Sequence, residues 1–348
     1  MKENISLKEI AGICKVSVST VSKAMNDRND ISAEKKEEIR RVAREMHYVP
    51  NYMASVLKSK RTGTIGVLLA GKTGGLTDEH FARILNSFRE TVEDRRYIVT
   101  FLNSGSSPER HSLSEQCRYM KFDGVFVAYA DYAMQEVQEL LASDVPIVTI
   151  DHAVSGHLNV ASDHYGDMKR MLQFVFDRGH RKIACIHGGA GDVTRGRLEA
   201  YRSFMKEHLL PVCGAYMYTC PYRDCERAAA LTRAVLALPD RPTCILYPDD
   251  FSAFGGCNAI KERGLRIPDD ISIAGYDGIR IARHIEPTLT TLRQDTEELG
   301  KMVGEKLLSL IEHPKTTLVE TIVVDGHVFE GNSVAELKGG NDVVTDFI

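Results

Sequence analysis

Two stretches of this 348-residue chain carry residue types at spacings that could do chemistry. The first, Gly66-Val67-Leu68-Leu69-Ala70-Gly71-Lys72-Thr73, fits G-x-x-x-x-G-K-[ST], the loop whose backbone amides and lysine cradle phosphates. Pro146–Asp151 even supplies an apolar run ending in an Asp that could hold magnesium. The context argues the other way. Val67-Leu68-Leu69 reads as a strand rather than a polar loop, and Thr73-Gly74-Gly75 is a loop where a helix should begin. A P-loop-like nucleotide-binding protein is therefore the alternative reading, not the leading one. Gly189-Ala190-Gly191 before Thr194 lacks the third glycine of a dinucleotide fingerprint, and neither G-x-S-x-G nor H-E-x-x-H occurs. The eight cysteines form no C-x-x-C pair and no zinc spacing. No catalytic residue, metal or cofactor is expected, and the chain does not read as an enzyme.

The second stretch is Val16-Ser17-Val18-Ser19-Thr20-Val21-Ser22-Lys23. Short hydroxyl side chains let a helix sit deep in a major groove. They can donate to phosphates or base edges, and the Val18 methyls can meet a thymine methyl. The elements around it fit that use. Ser6-Leu7-Lys8-Glu9 is a capping box that opens a helix through Ile13. Ser17 can cap a second helix running to about Asn26, and Ser32 a third from Ala33 to about Met46. Two short helices joined by a tight turn make a helix-turn-helix; a plain three-helix cap on the larger domain is the other reading. Charge is divided to match. Residues 1–62 hold 13 Lys+Arg and 8 Asp+Glu, net +5, whereas the remainder carries −9. A basic head on an acidic body points to a polyanion met by the head alone.

From Thr64 onward, apolar runs of strand length alternate with amphipathic helical stretches. The strands are expected at 65–69, 98–102, 124–128, 147–150, 183–187, 244–247 and 271–276. Helices are expected at 81–94, 167–178, 199–208, 226–238 and 252–263. Alternating βα units imply parallel sheets covered by helices on both faces, and about 270 residues of this pattern imply two lobes. Ligands in such sheets sit at the carboxyl ends of the strands. Arg197, expected between a loop at 188–196 and the following helix, falls at such a junction; an exposed Arg paired with Glu199 is its other reading. No apolar run approaches the roughly 20 residues of a membrane span, and no signal peptide is visible, so a cytoplasmic protein is expected.

Several motifs in order resemble the bacterial LacI/GalR repressor family: Val16–Lys23 with Asn26, Tyr48-Val49-Pro50-Asn51-Tyr52-Met53-Ala54-Ser55-Val56-Leu57, and Arg61–Val67. Phe122-Asp123-Gly124-Val125, Pro146–Asp151, Gly179–Ala184, Arg197 with Ala200-Tyr201, Pro268–Ser272 with Gly275-Tyr276-Asp277, and Pro287–Thr291 extend the likeness to about residue 333. The resemblance implies an all-α head joined to an α/β, two-lobed core like the periplasmic sugar-binding proteins. It divides the chain into a DNA-binding head (1–47), a hinge helix and linker (48–63), a core (64–333) and a tail (334–348). Lobe one is expected at 64–162 and 291–323, lobe two at 163–290 and 324–333.

Carried over by residue, the resemblance makes Thr20, Ser22 and Lys23 phosphate or base contacts, and Val18 and Ser19 operator readers. Ser17, Asn26, Tyr48, Asn51, Ala54 and Lys58 join the DNA-binding set, and Leu57 is the wedge entering the minor groove. Seven hinge residues are too few for a stable isolated helix, so the hinge is expected to order on DNA. The effector set is Arg197, Asp277, Asp249, Tyr222, Phe81 and Asp151. Asp250 and Asp277 have a second reading as helix caps or structural partners, and Tyr222 as plain packing. The sequence departs from the family where Lys15 stands for a frequent Gly, Ser55 for a frequent Arg, and Asp249 for Asn. His164 also follows Asp163 where Asn is common, and Gly331-Asn332-Ser333 lacks a family Arg. The implied partners are a palindromic operator, a second copy of the chain and a small effector, most simply a carbohydrate. No membrane partner is expected.

Overall fold

The computed structural model describes residues 5–25, 27, 30–48, 61–69, 78–104 and 111–337. The chain divides into two units, Met1–Thr62 and Gly63–Ile348. Asn26, Asn51, Ala54, Leu57 and Lys58, and with them the hinge helix, lie outside the described residues, as does the tail from 338.

In the head, Ser6 and Glu9 close the capping box on α1 (Leu7–Ile13), with the Ser6 amide donating to Glu9 Oε2 at 2.6 Å. The turn that follows places Lys15 at φ 51°, in the left-handed region. A side chain there costs on the order of 1 kcal/mol relative to glycine. Ser17 Oγ accepts from the Thr20 amide and caps α2 (Val18–Met25), and Ser32 caps α3 (Ala33–Glu45). Ile10, Ala11, Cys14, Val21, Ala24, Ile39, Val42 and Ala43 form the small core, with Tyr48 packed at its edge.

The second unit contains two six-stranded sheets. The first holds β1 (Thr64–Leu69), β2 (Ile98–Phe101), β3 (Gly124–Tyr129), β4 (Ile147–Ile150), β5 (Leu158–Ser162) and β11 (Thr321–Val324), in the order β11-β5-β4-β3-β1-β2. The second holds β6 (Ile183–His187), β7 (Met217–Thr219), β8 (Cys244–Leu246), β9 (Ser272–Asp277), β10 (Thr290–Arg293) and β12 (His327–Phe329), in the order β12-β10-β9-β8-β6-β7. Among the described residues, only β12 runs antiparallel to its neighbour. Val67 and Leu68 are fully buried inside β1, so the phosphate-loop match at 66–73 begins on a strand.

The helices that cover the first sheet include α4 (Glu79–Glu93), α5 (Leu113–Met120), α6 (Gln135–Leu141) and α11 (Thr296–Glu312). Those of the second are α7 (His164–Asp177), α8 (Asp192–Glu207), α9 (Cys225–Leu236) and α10 (Asp250–Glu262). Central strands buried on both faces read as continuous apolar runs, which is why β1, β3, β4, β6 and β8 were legible.

Three expectations need correction. β10 pairs with β9 from Thr290↔Ala274 to Arg293↔Asp277, so it belongs to the second lobe and the crossover follows Arg293 rather than residue 290. The loop expected at 188–196 ends at 191, because α8 starts at Asp192 and places Arg197 in its second turn. Asp192 in the first turn favours that start electrostatically, despite the glycines around it. The core also continues past residue 333, where the tail was expected to begin. Val334 is buried in the second-lobe core, and the Ala335 and Leu337 amides donate to Ser272 Oγ and the Arg178 carbonyl.

Candidate functional site

Arg197 lies 8% exposed on α8, its guanidinium 3.3 Å from the centre of the Tyr276 ring and 6.0 Å from that of Tyr222. Nη1 donates to the Pro248 carbonyl at 2.8 Å, while Nε has no hydrogen-bond partner. Burial opposes the charge, but Tyr276, Tyr222, Asp277 and Asp151 outweigh it, and the group's pKa is raised. Arg197 is thus a buried, charged fork with a donor to spare, not an exposed partner of Glu199.

Asp277 closes β9 at φ 104° and accepts from Gln294 Nε2 at 2.7 Å. Burial pushes its carboxyl up to about 7, against the pull of Arg197 and with added repulsion from Asp249. Gln294 Oε1 in turn accepts from Ser162 Oγ at 2.5 Å, linking the ends of β9, β10 and β5. Asp151, just beyond β4 at φ 54°, accepts from the Ser162 amide and from His164 Nε2, both at 2.9 Å. Burial opposes its ionisation; the His164 ring and the Ser162 amide hold it below the usual carboxylate range nonetheless.

Phe81 is half-buried on α4, edge-on to His80 and Tyr129 with centroids 5.5 and 5.8 Å away, and 5.9 Å from the Arg223 guanidinium. Tyr222 donates or accepts with Thr194 Oγ1 at 2.9 Å, and its ring lies where a Cβ on Gly188 would come within 2.3 Å. Arg197, Tyr222 and Tyr276 line a cavity of about 20 Å³, on the order of one water.

Asp249 stands apart from the expected effector set. Its Oδ1 accepts from the Ser252 amide, and its Oδ2 from Ser252 Oγ and the Arg223 amide, all at 2.8 Å. At 1% exposure that carboxylate is committed to capping α10 and holding the neighbouring loop. Asp250 is structural as well, joined to Thr291 Oγ1 and the Ile279 amide.

The sequence did not single out Asp78, His80, Arg223 or Gln294 as cleft residues, and His164 entered only as a departure. Asp78 pairs with Arg223 across the lobes, and its Oδ1 accepts from the His80 amide at 3.0 Å. Burial drives the His80 ring down to about 4, so it is neutral near pH 7. Asp78-Glu79-His80 reads in sequence only as a helix start. Its pairing with a residue 145 positions later has no local signal. Contacts that also join the lobes include Asp151 to His164, His152 to Asp192 at 2.8 Å, and the Arg280 amide to Glu79 Oε1 at 3.0 Å.

In the head, Val21 and Ala24 turn inward. Ser17, Val18, Ser19 and Lys23 are exposed, Val18 at 44%, with Thr20 and Ser22 half-buried. This is a small polar face with one apolar contact, suited to base edges and phosphates. Tyr48 leans on the head core instead of extending that face. Among the described residues no helix is long and apolar enough to cross a membrane.

Comparison with known proteins agrees with both halves. Residues 6–51 match the family described as bacterial regulatory proteins, lacI family, and residues 172–334 match a periplasmic binding protein-like domain. The ribose operon repressor of Haemophilus influenzae is 30% identical over 341 residues, 96% of this chain and 99% of its own. A probable HTH-type transcriptional repressor, ExuR of Bacillus subtilis, is 28% identical over 90% of this chain and 93% of its own. The fold matches the lac repressor dimer bound to operator and the anti-inducer ONPF, with TM-score 0.76, 21% identity and coverage of 96% and 100%. The chain belongs to the LacI family of bacterial DNA-binding transcriptional repressors.

Proposed function

We propose that this repressor acts as a cytoplasmic dimer on a palindromic operator, and that a small carbohydrate between its lobes sets operator affinity. One recognition helix reads a half-site, so two-fold symmetry of protein and operator go together. The observation that carries the effector reading is the Arg197 fork, buried beside Asp277 with its Nε unpartnered. A cation and a carboxyl at the strand ends, with Phe81 and Tyr222 as aromatic faces, suit vicinal hydroxyls on a ring that also has an apolar side. The likeness to a ribose operon repressor supports that ligand class. In this reading Asn51–Leu57 forms the hinge, Leu57 wedges into the minor groove, and Asn26, Ala54 and Lys58 contact DNA beside it. Cleft closure sets whether both wedges fit one groove, a coupling on the order of 1–3 kcal/mol.

The test is a thermal-shift panel of neutral sugars, sugar acids and purines, followed by calorimetry on each hit. A sugar is expected to bind, and Arg197→Ala is expected to weaken it by about 2–3 kcal/mol, the size of a hydrogen bond to a charged group. Operator binding without ligand should persist in that variant. Binding of a purine alone, or wild-type sugar affinity in Arg197→Ala, would overturn the assignment.

A further inference from the structure

On the exposed side of α2, the Lys23 ammonium is already held. Its Nζ lies 2.5 Å from Asp30 Oδ2, in the segment between α2 and α3. The two side chains are 47% and 53% exposed, and an ion pair this open contributes little to folding. The arrangement also has a cost for DNA binding, since it puts a carboxylate beside the face that must approach phosphates. Affinity for a polyanion does not account for it either.

Geometry suggests what does. Ser19 lies one turn before Lys23 and is exposed with it, while Val21 and Ala24 point into the core. The pair therefore places the lysine tip on the exposed side of α2 that also carries Ser19, the face expected to meet bases. An unrestrained lysine has a flexible four-carbon stem and a point charge, and it swings readily to a phosphate. With one proton engaged by Asp30, Nζ keeps two for the O6 and N7 acceptors of a guanine in the major groove. We propose that Asp30 is a positioning residue that keeps Lys23 on a base edge and off the phosphates, exchanging general affinity for sequence discrimination.

The experiment uses the full chain and two duplexes, one enriched by the wild-type protein from a randomised library and one of shuffled sequence. Affinities are measured across salt concentrations. Lys23→Ala should lose about tenfold on the enriched duplex with an unchanged salt slope, because no phosphate contact is removed. Asp30→Asn should bind the shuffled duplex several-fold tighter and lower the enriched-to-shuffled ratio about tenfold. Its salt slope should steepen by about 0.9 per protomer as Lys23 moves to a phosphate. Asp30→Glu, which keeps the carboxylate, should restore the ratio. An unchanged ratio in Asp30→Asn, or a salt slope in Lys23→Ala shallower by about 0.9, overturns the proposal. So does an equal loss of discrimination in Asp30→Asn and Asp30→Glu with lowered thermal stability in both, which would make Asp30 a structural residue.

Discussion

Burial pushes the Asp277 carboxyl up to about 7, although Arg197 lies close by and Gln294 donates to it. The unfolded chain ionises this group near its ordinary 3.8. Between those values the folded state binds the extra proton, so Asp277's contribution to stability declines as pH rises from about 4 to 7. His80 works in the opposite direction. Its ring stays neutral down to about 4 in the fold, so its contribution is lost as pH falls from 6.5 toward 4. The two effects overlap in the wild type but separate in a variant. Asp277→Asn keeps an acceptor for Gln294 Nε2 and cannot ionise. Its stability relative to wild type should grow as pH rises from 5 to 8, reaching on the order of 1–3 kcal/mol in favour of Asn, and the His80 contribution cancels in the difference. Thermal unfolding of both proteins across that range checks it; a constant gap would mean Asp277 ionises normally.

Glycines in the helices separate close backbone approach from mere tolerance. Gly300 on α11 faces α4, and a Cβ there would sit 2.2 Å from the Ile84 carbonyl oxygen and 2.8 Å from the Phe88 amide. Backbone atoms cannot swing aside as a side chain can. Gly300→Ala should therefore destabilise by about 1–3 kcal/mol, overriding the roughly 1 kcal/mol that alanine gains in helix propensity. Gly196 on α8 has its nearest neighbour, His164 Cβ, at 3.5 Å, so Gly196→Ala should keep most of that propensity gain. Denaturant unfolding of both variants should show opposite signs. The same contrast between local and distant information governs what could be read from the sequence. The caps at Ser6, Ser17 and Ser32 and the apolar runs of β1, β3 and β6 are local signals, and the structure contains each of them. β11 and β12 are short, partly exposed edge strands whose partners lie far away in sequence, and they carried no such signal. At the cleft, Arg197 and Asp277 were legible through family motifs. The Asp78–Arg223 pair was not, because neither residue differs from a surface charge until the lobes meet.

Contacts between the lobes make the cleft a property of the whole second unit. In the Asp78–Arg223 pair, Asp78 is 4% exposed at the start of α4, and the Arg223 amide is tied to Asp249 in the second lobe. Removing one charge from a buried pair leaves the other without compensation, which favours separating the lobes so that Arg223 reaches water. Asp78→Asn isolates this effect, because Asn caps a helix as well as Asp and can still accept from the His80 amide. A ligand that binds the closed cleft loses apparent affinity in proportion to the closed fraction. Asp78→Asn should therefore weaken effector binding about tenfold, roughly 1.4 kcal/mol, while the operator response at saturating effector stays intact. Arg223→Gln should do the same, and the double variant should be little worse than either single one, since the pair is lost only once. Calorimetric titration of the four proteins measures that cycle. Additive losses would mean that Asp78 and Arg223 contact the ligand separately, and that the clasp between them has no part in closing the cleft.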